Sequence, residues 1–140
     1  MNILLAAMDN SGHGNLYIIV KGISSNDGTV MIALFNSSNG YEADGEENNA
    51  FIAVSADVSN QSSAYLFKDI PYGEYAIKLF HDKNGNSKLD KNFFGSPKEP
   101  YGFSNNTQKK LSQPAWESVM FKVDSENVTQ KIEVKWFSSH

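Results

Sequence analysis

The strongest constraint in this sequence is an alternation of apolar and other side chains with a period of two residues. It is clearest in Leu16, Ile18 and Val20, and again in Val30, Ile32 and Leu34. This period places apolar side chains on one face of a β-strand. The same pattern returns at residues 51–58, 64–67, 74–80, 119–123 and 128–136. Turn-forming residues separate these segments, including Asp27-Gly28, so the sequence predicts an all-β fold, a seven-stranded antiparallel β-sandwich with little helix.

Composition limits the classes of function. The chain has 140 residues, 12 Lys, no Arg, 16 acidic residues, no Cys and a formal charge of −4. Nucleic acids require clustered positive charge, so we expect no nucleic-acid partner. The absence of Cys excludes disulfides, thiolate metal sites and a Cys nucleophile. The length predicts one domain, residues 14–137, which we expect to be a monomer.

The N-terminal residues carry a hint about location. Residues 3–8 (ILLAAM) form a short apolar run, followed by a polar stretch. The run is too short to span a membrane and lacks the charged start of a secretory signal. It fits the end of a truncated signal peptide cleaved near Ala6-Ala7, and equally a short disordered leader or an extra edge strand. We therefore treat residues 1–13 as a flexible leader or signal-peptide remnant and residues 138–140 as a tail, and expect no membrane span.

Two gaps between predicted strands are longer than hairpins require. Residues 36–50 are acidic, with Tyr41 as the only large apolar residue, and predict a solvated loop, or alternatively an acidic contact surface. Residues 82–114 form a second gap of 33 residues without a sustained strand pattern. Loops of this length in compact domains are usually functional or disordered. The second gap contains too many aromatic residues for a disordered linker.

The start of the second gap resembles a cation-binding loop. Oxygen donors recur at relative positions 1, 3, 5, 7 and 9, which are Asp82, Asn84, Asn86, Lys88 and Asp90. Lys88 would contribute its backbone carbonyl, and the other four would contribute side-chain oxygens. In EF-hand loops the same positions converge on Ca²⁺, because a tight turn brings alternate residues to one side. Hard oxygen donors without thiolates or a His cluster favour Ca²⁺ over zinc.

The match to an EF-hand loop is partial. Position 6 is Ser87 instead of Gly, and position 12 is Phe93 instead of Glu. A further carboxylate must come from elsewhere, and Glu99 is the nearest downstream candidate. So few carboxylates predict weak binding, about 10⁻⁴ to 10⁻³ M. The alternative is a plain hairpin turn at Asn84-Gly85, which would not need Asp90.

His81 and several aromatic residues each have two interpretations. His81 is in phase with the apolar residues of its strand, which is typical of a hydrogen-bonded core residue; alternatively it contacts Asp82 or Glu99 behind the ion. The aromatic side chains at 93–116 either form a small core of their own under the loop, or present an exposed surface that stacks on sugar rings or contacts a protein. They are Phe93, Phe94, Tyr101, Phe103 and Trp116, with Tyr101, Phe103 and Trp116 as the candidate ligand contacts.

Two motifs carry a resemblance to known families. Residues 67–75 (FKDIPYGEY) resemble the F-x-D-L-P-x-G-x-Y strand, turn and strand of transthyretin-like and carboxypeptidase-regulatory-like domains. With residues 81–86, Asp90 and 95–106, the chain is similar to the bacterial secreted domain-of-unknown-function family 2141, over residues 14–136. The resemblance implies a prealbumin-like or immunoglobulin-like β-sandwich that is exported to the periplasm, the cell surface or the medium. That family has no established activity, so the resemblance implies no catalytic residues.

The sequence therefore predicts an exported, non-catalytic module whose loop at residues 82–90 binds a structural Ca²⁺ ion. The alternative is a glycan-binding or protein-binding module that uses the aromatic residues of 93–116. An enzyme is not expected, because nucleophile-elbow and phosphate-binding glycine motifs are absent and no carboxylate pair is left for glycoside hydrolysis.

Overall fold

The computed structural model describes residues 12–43, 49–83, 100–107 and 113–135, and the described chain is all-β, as the alternation predicted. Its strands are β1 (His13–Lys21), β2 (Thr29–Phe35), β3 (Ile52–Ser59), β4 (Ser62–Pro71), β5 (Gly73–Asp82), β6 (Tyr101–Phe103), β7 (Phe121–Val123) and β8 (Asn127–Glu133). The helical elements are α1 (Ser38–Glu42), α2 (Trp116–Val119) and a 3₁₀ turn (Ser104–Asn106). Each of the seven predicted segments overlaps one of the strands.

The strands form one sheet in the order β6-β5-β2-β3-β4-β1-β8, and β7 pairs with β5. The pairing between β3 and β4 is short, with only Val58↔Ser63 and Ser59↔Ser62 in register. At that point the chain turns through Asn60 and Gln61, both with positive φ, the backbone of a two-residue hairpin turn. A single bridge between Tyr101 and Lys135 joins the two ends of the strand order. The sheet is therefore nearly closed.

Two features correct the predicted seven-stranded antiparallel sandwich. Strand β6 is an eighth strand and lies inside the predicted gap at 82–114, where it pairs with Lys78–Phe80 of β5. Strand β8 runs parallel to β1 from Asn15↔Asn127 to Lys21↔Glu133. The alternation in sequence indicates which face of a strand is buried but not which neighbour it pairs with, and β6 is too short to show a period.

The inner cluster is the main core and lies on the inward face of the sheet. It is built by residues of β1 to β5, β7 and β8. Its fully buried members include Leu16, Ile18, Val30, Ile32, Ile77 and Leu79. Burying such side chains provides most of the favourable free energy of folding, about 25 cal/mol per Å² of apolar surface. The position of this core follows directly from the period of two.

The outer cluster packs against the opposite face of β2 and β5. Its buried members are Phe35, Tyr41, Ala76, Tyr101, Phe103, Trp116 and Val119. Residues 36–50 contribute α1, capped by Ser37, whose Oγ accepts a hydrogen bond from Gly40 N at 3.1 Å. Tyr41 is fully buried in that helix. The prediction of a purely solvated loop was therefore wrong for this part, because Tyr41 anchors the segment to the sheet.

Candidate functional site

Strand β5 organises the candidate site because it is buried on both faces from Tyr75 to Leu79. Tyr75, Ile77 and Leu79 join the inner cluster, while Ala76 and Phe80 contact the outer one. Because side chains pack on both faces of β5, the strand holds the residues at its end in defined positions. Its last residues are His81 and Asp82, the first of the predicted calcium ligands.

His81 is completely buried and holds two other chain segments. Its ring nitrogen Nε2 lies 2.6 Å from the backbone oxygen of Asp27, in the connection between β1 and β2. A carbonyl oxygen only accepts, so Nε2 carries the hydrogen and donates. The amide of His81 donates to the carbonyl of Pro100 at 2.9 Å. The ring thus makes a core hydrogen bond to Asp27, and among the described residues its Nδ1 has no partner.

Asp82 lies at the same end of the sheet and is only 1% exposed. Thr29 of β2 is directly opposite Asp82 in the register, and Asp57 of β3 is directly opposite Thr29 on its other side. Residues opposite each other in antiparallel strands project from the same face. Burying a carboxylate is costly unless other groups compensate its charge.

The other predicted ligands, Asn84, Asn86, Lys88, Asp90 and Glu99, lie outside the described residues. Within residues 12–43, 49–83, 100–107 and 113–135, no three His, Asp or Glu side chains form a group that could hold a metal ion. The hydrogen bond from His81 N to Pro100 O joins two described residues on either side of positions 84–99, at the end of β5.

The candidate ligand contacts Tyr101, Phe103 and Trp116 all lie in the outer cluster. Their exposed fractions are 2%, 1% and 8%. Tyr101 and Phe103 pack edge to face, with ring centroids 5.9 Å apart, and Trp116 lies 6.0 Å from Tyr41. Rings buried to this degree leave no face for a sugar to stack on. The other two aromatic candidates, Phe93 and Phe94, lie outside the described residues.

A polar network that the sequence reasoning missed holds the outer cluster on the sheet. Ser104 is fully buried; its Oγ accepts from Ile77 N at 2.9 Å and donates to Val119 O at 2.6 Å. Asn105 Nδ2 donates to the carbonyls of Ser118 and Met120. Asn105 has φ of 61°, a left-handed conformation that Asn tolerates better than most residues. The Ser-Asn-Asn run after Phe103 was the available signal, because such residues bond to backbone groups at turns.

Lys78 is a further buried polar residue that the sequence analysis did not identify. It lies on the outer face of β5 and is 9% exposed, and its Nζ donates to Gln113 Oε1 at 3.0 Å. Gln113 Nε2 in turn donates to the carbonyl of Tyr41 at 3.0 Å. The position of Lys78 within an alternating strand was the only available signal, since the same period places Ala76 and Phe80 on that face.

A shallow groove of about 360 Å³ lies at the opposite end of β5. It is lined by Tyr72, Gly73, Glu74, Lys122, Val123 and Asp124. Glu74 and Lys122 are directly opposite each other in the pairing of β5 with β7. This groove is lined mainly by apolar atoms and has no converging set of buried ionisable groups.

Comparison with known proteins identifies the family. Residues 18–131 match the profile of a bacterial family described as an uncharacterized protein conserved in bacteria, DUF2141. The chain belongs to this family. The part that matches DUF2141 begins within β1 and ends within β8, so it includes the outer cluster, the end of β5 and the inner cluster except Leu16, Ile132 and Val134. No curated protein and no solved structure matches the chain.

The described part of this DUF2141 protein contains no helix long and apolar enough to cross a membrane.

Proposed function

We propose that this protein is a non-catalytic, exported module in which residues 82–90 bind a structural Ca²⁺ ion. Membership of an uncharacterised bacterial family is compatible with this role and assigns no other. Export and a transthyretin-like origin are part of the proposal, and they rest on the sequence resemblance alone. The expectation of a monomer is likewise kept as a proposal.

The observation that carries the proposal is the position of Asp82. Its carboxylate is the first of four side-chain oxygen donors at alternate positions, and it lies buried at the end of a rigid strand. A bound divalent cation would offset the repulsion between Asp82 and Asp90. The hydrogen bond between His81 and Pro100 supports the same role, because residues held close together on either side of a loop lower the entropy cost of ordering it.

A calcium titration followed by nuclear magnetic resonance tests the proposal. Millimolar Ca²⁺ should shift the amide signals of residues 82–106 and raise the melting temperature relative to chelator. Mg²⁺ should be a poor substitute, because it requires near-ideal octahedral geometry and dehydrates reluctantly. Unchanged spectra and an unchanged melting temperature would contradict the proposal.

Two variants and a matched control make the titration specific. Asp90→Asn should weaken calcium binding by about tenfold, which corresponds to about 1.4 kcal/mol. Asp82→Asn should do the same, and because Asp82 is buried, its stability in chelator must be measured separately. Asp124→Asn makes the same charge change at an exposed position at the opposite end of β5 and should bind calcium like the original protein.

A further inference from the structure

Strands β3 and β4 leave an open side in the sheet. They form a hairpin, but only Val58↔Ser63 and Ser59↔Ser62 are in register, and the two strands then separate. From Ala64 onward β4 pairs with β1 on one side, and no strand of the described chain lies along its other side. An unpaired strand edge exposes backbone N–H and C=O groups, which another strand can use for pairing.

The hairpin determines which backbone groups of β4 face this open side. In a two-residue hairpin the residues that flank the turn, here Ser59 and Ser62, bond to each other through their backbones. Successive residues of a strand point their backbone groups to opposite sides, so Ala64 and Leu66 point away from β1, as Ser62 does. On that side neither residue has a hydrogen bond to any part of the described chain. Their N–H and C=O groups are therefore available to a partner.

Residues 64–67 of β4 lack the features that usually protect a strand edge. Natural edges are blocked by lysine, proline, bulges or a covering segment. Residues 64–67 (AYLF) contain no charge and no proline, and Lys68 and Pro71 follow only further along the strand. Ala64 and Leu66 are both exposed. The unprotected part of the edge is therefore short and open to solvent.

The side chains beside this edge form an exposed apolar patch. Leu66 and Tyr17 are each 43% exposed and lie directly opposite each other in the pairing of β4 with β1. The next pair on the same face is Ala64 and Ile19. Because residues opposite each other in antiparallel strands project from the same face, these four side chains are neighbours. In the part of the chain that the structure describes, the only other large apolar side chain that is exposed is Phe51, immediately before β3.

We propose that the edge of β4 at residues 64–67 binds an extended peptide segment of a partner protein, with apolar side chains at alternate positions. The free backbone groups select a strand, because the hydrogen bonds of an added strand satisfy them. The exposed Leu66 and Tyr17 select apolar side chains on one face of that strand, because alternate side chains of the strand would extend their row. The edge is too short for a second copy, since a stable dimer buries about 800 Å² on each partner.

Amide hydrogen exchange in the presence of a synthetic peptide of alternating Val and Thr, capped at both ends, tests the proposal. With the peptide at about ten times its Kd, the amides of Ala64 and Leu66 should exchange about tenfold more slowly. The amides of Tyr65 and Phe67 already face β1, so their exchange should change little. Apolar contact alone does not produce this alternation, so equal protection of all four amides, or of none, would overturn strand addition.

The same substitution on each edge of the opening locates the bound strand. Ala64→Pro removes a free N–H of β4, and proline is tolerated in an edge strand where the N–H faces solvent. Ala53→Pro is the matched control, because Ala53 is exposed on β3 and its N–H points away from β2 by the same alternation. Ala64→Pro should abolish peptide binding, and Ala53→Pro should leave it unchanged. Binding that survives Ala64→Pro, or that Ala53→Pro removes, contradicts the assignment to β4.

Three further measurements do not depend on how Ala64→Pro folds. Leu66→Ala changes only an exposed side chain and should weaken binding about tenfold; an unchanged affinity would overturn the role of the apolar patch. A peptide with Pro in place of each Thr should not bind, because proline disrupts the ladder, and equal binding of both peptides would contradict strand addition. Without peptide, protection of Ala64 and Leu66 that grows with protein concentration would show a second copy on the edge and overturn the peptide assignment.

Discussion

The two apolar clusters flank the same strand but are built in different ways. The inner cluster is assembled from alternating residues of long strands, and every buried member of β1 and β2 within it follows the period of two. The outer cluster is assembled from one-turn helices, a three-residue strand and a buried hydroxyl. The inner cluster therefore depends on a repeated pattern, whereas the outer one depends on individual polar contacts.

Truncating a valine in each cluster compares them with identical chemistry. Val30 of the inner cluster and Val119 of the outer one are both fully buried. We expect Val30→Ala to cost about 3 kcal/mol of unfolding free energy and Val119→Ala about 2 kcal/mol. The difference is expected because Val119 lies in a one-turn helix, which can move to fill a cavity more readily than a strand inside the sheet. Denaturant unfolding measures both. Equal costs, with exchange protection lost throughout the sheet in both variants, would show that the clusters form one cooperative unit.

Removing the buried hydroxyl of Ser104 should loosen the outer cluster selectively. Ser104→Ala leaves Ile77 N and Val119 O without their partner, and one unsatisfied buried group costs about 1–3 kcal/mol. We expect a loss of about 2 kcal/mol, and faster hydrogen exchange in α2 and β6 than in β1. The control is Ser118→Ala, at an exposed position in α2. A neutral Ser104→Ala would mean that water replaces the hydroxyl.

Asn105 separates side-chain bonding from backbone strain. Asn105→Ala loses the bonds to Ser118 and Met120 and puts at φ of 61° a residue that tolerates the left-handed conformation less well than Asn, so we expect a cost of about 2 kcal/mol. Asn105→Gly loses the same bonds but relieves the strain, and should cost about 1 kcal/mol less than the alanine variant. Equal losses for both variants, measured by thermal unfolding, would show that the left-handed backbone carries no strain.

Alkaline pH should weaken both clusters through their tyrosines. Burial raises the pKa of Tyr101 to about 12, and burial also raises the pKa of Tyr75. Because the pKa is higher in the folded state, the unfolded chain loses the tyrosine proton at a lower pH than the folded chain does. These groups therefore do not change stability below the ordinary tyrosine pKa of about 10. Above it, the free energy of unfolding falls as the pH rises towards 12. Tyr101→Phe should flatten this fall more than Tyr75→Phe.

The candidate site was predictable only in part. The position of Asp82 at a strand end follows from the alternation up to Phe80 and the polar run after it. The contact of His81 with Asp27 was not predictable, because the two residues are 54 positions apart and nothing local records the pairing of β2 with β5 that brings them together. The burial of Trp116 and Tyr101 was one of two open alternatives, since an aromatic residue in a loop is equally compatible with a core and with a contact surface.

The sequence by itself determined the all-β class and seven of the eight strand segments, because the period of two is a local property of each strand. It also determined the spacing of the oxygen donors that begins at Asp82. Only the tertiary structure decided that β8 runs parallel to β1, that residues 101–103 form an eighth strand, and that Tyr41 joins a second core held by hydrogen bonds of Ser104 and Asn105. These features depend on pairings and hydrogen bonds between distant segments, whose free energy exists only once the sheet has brought those segments together.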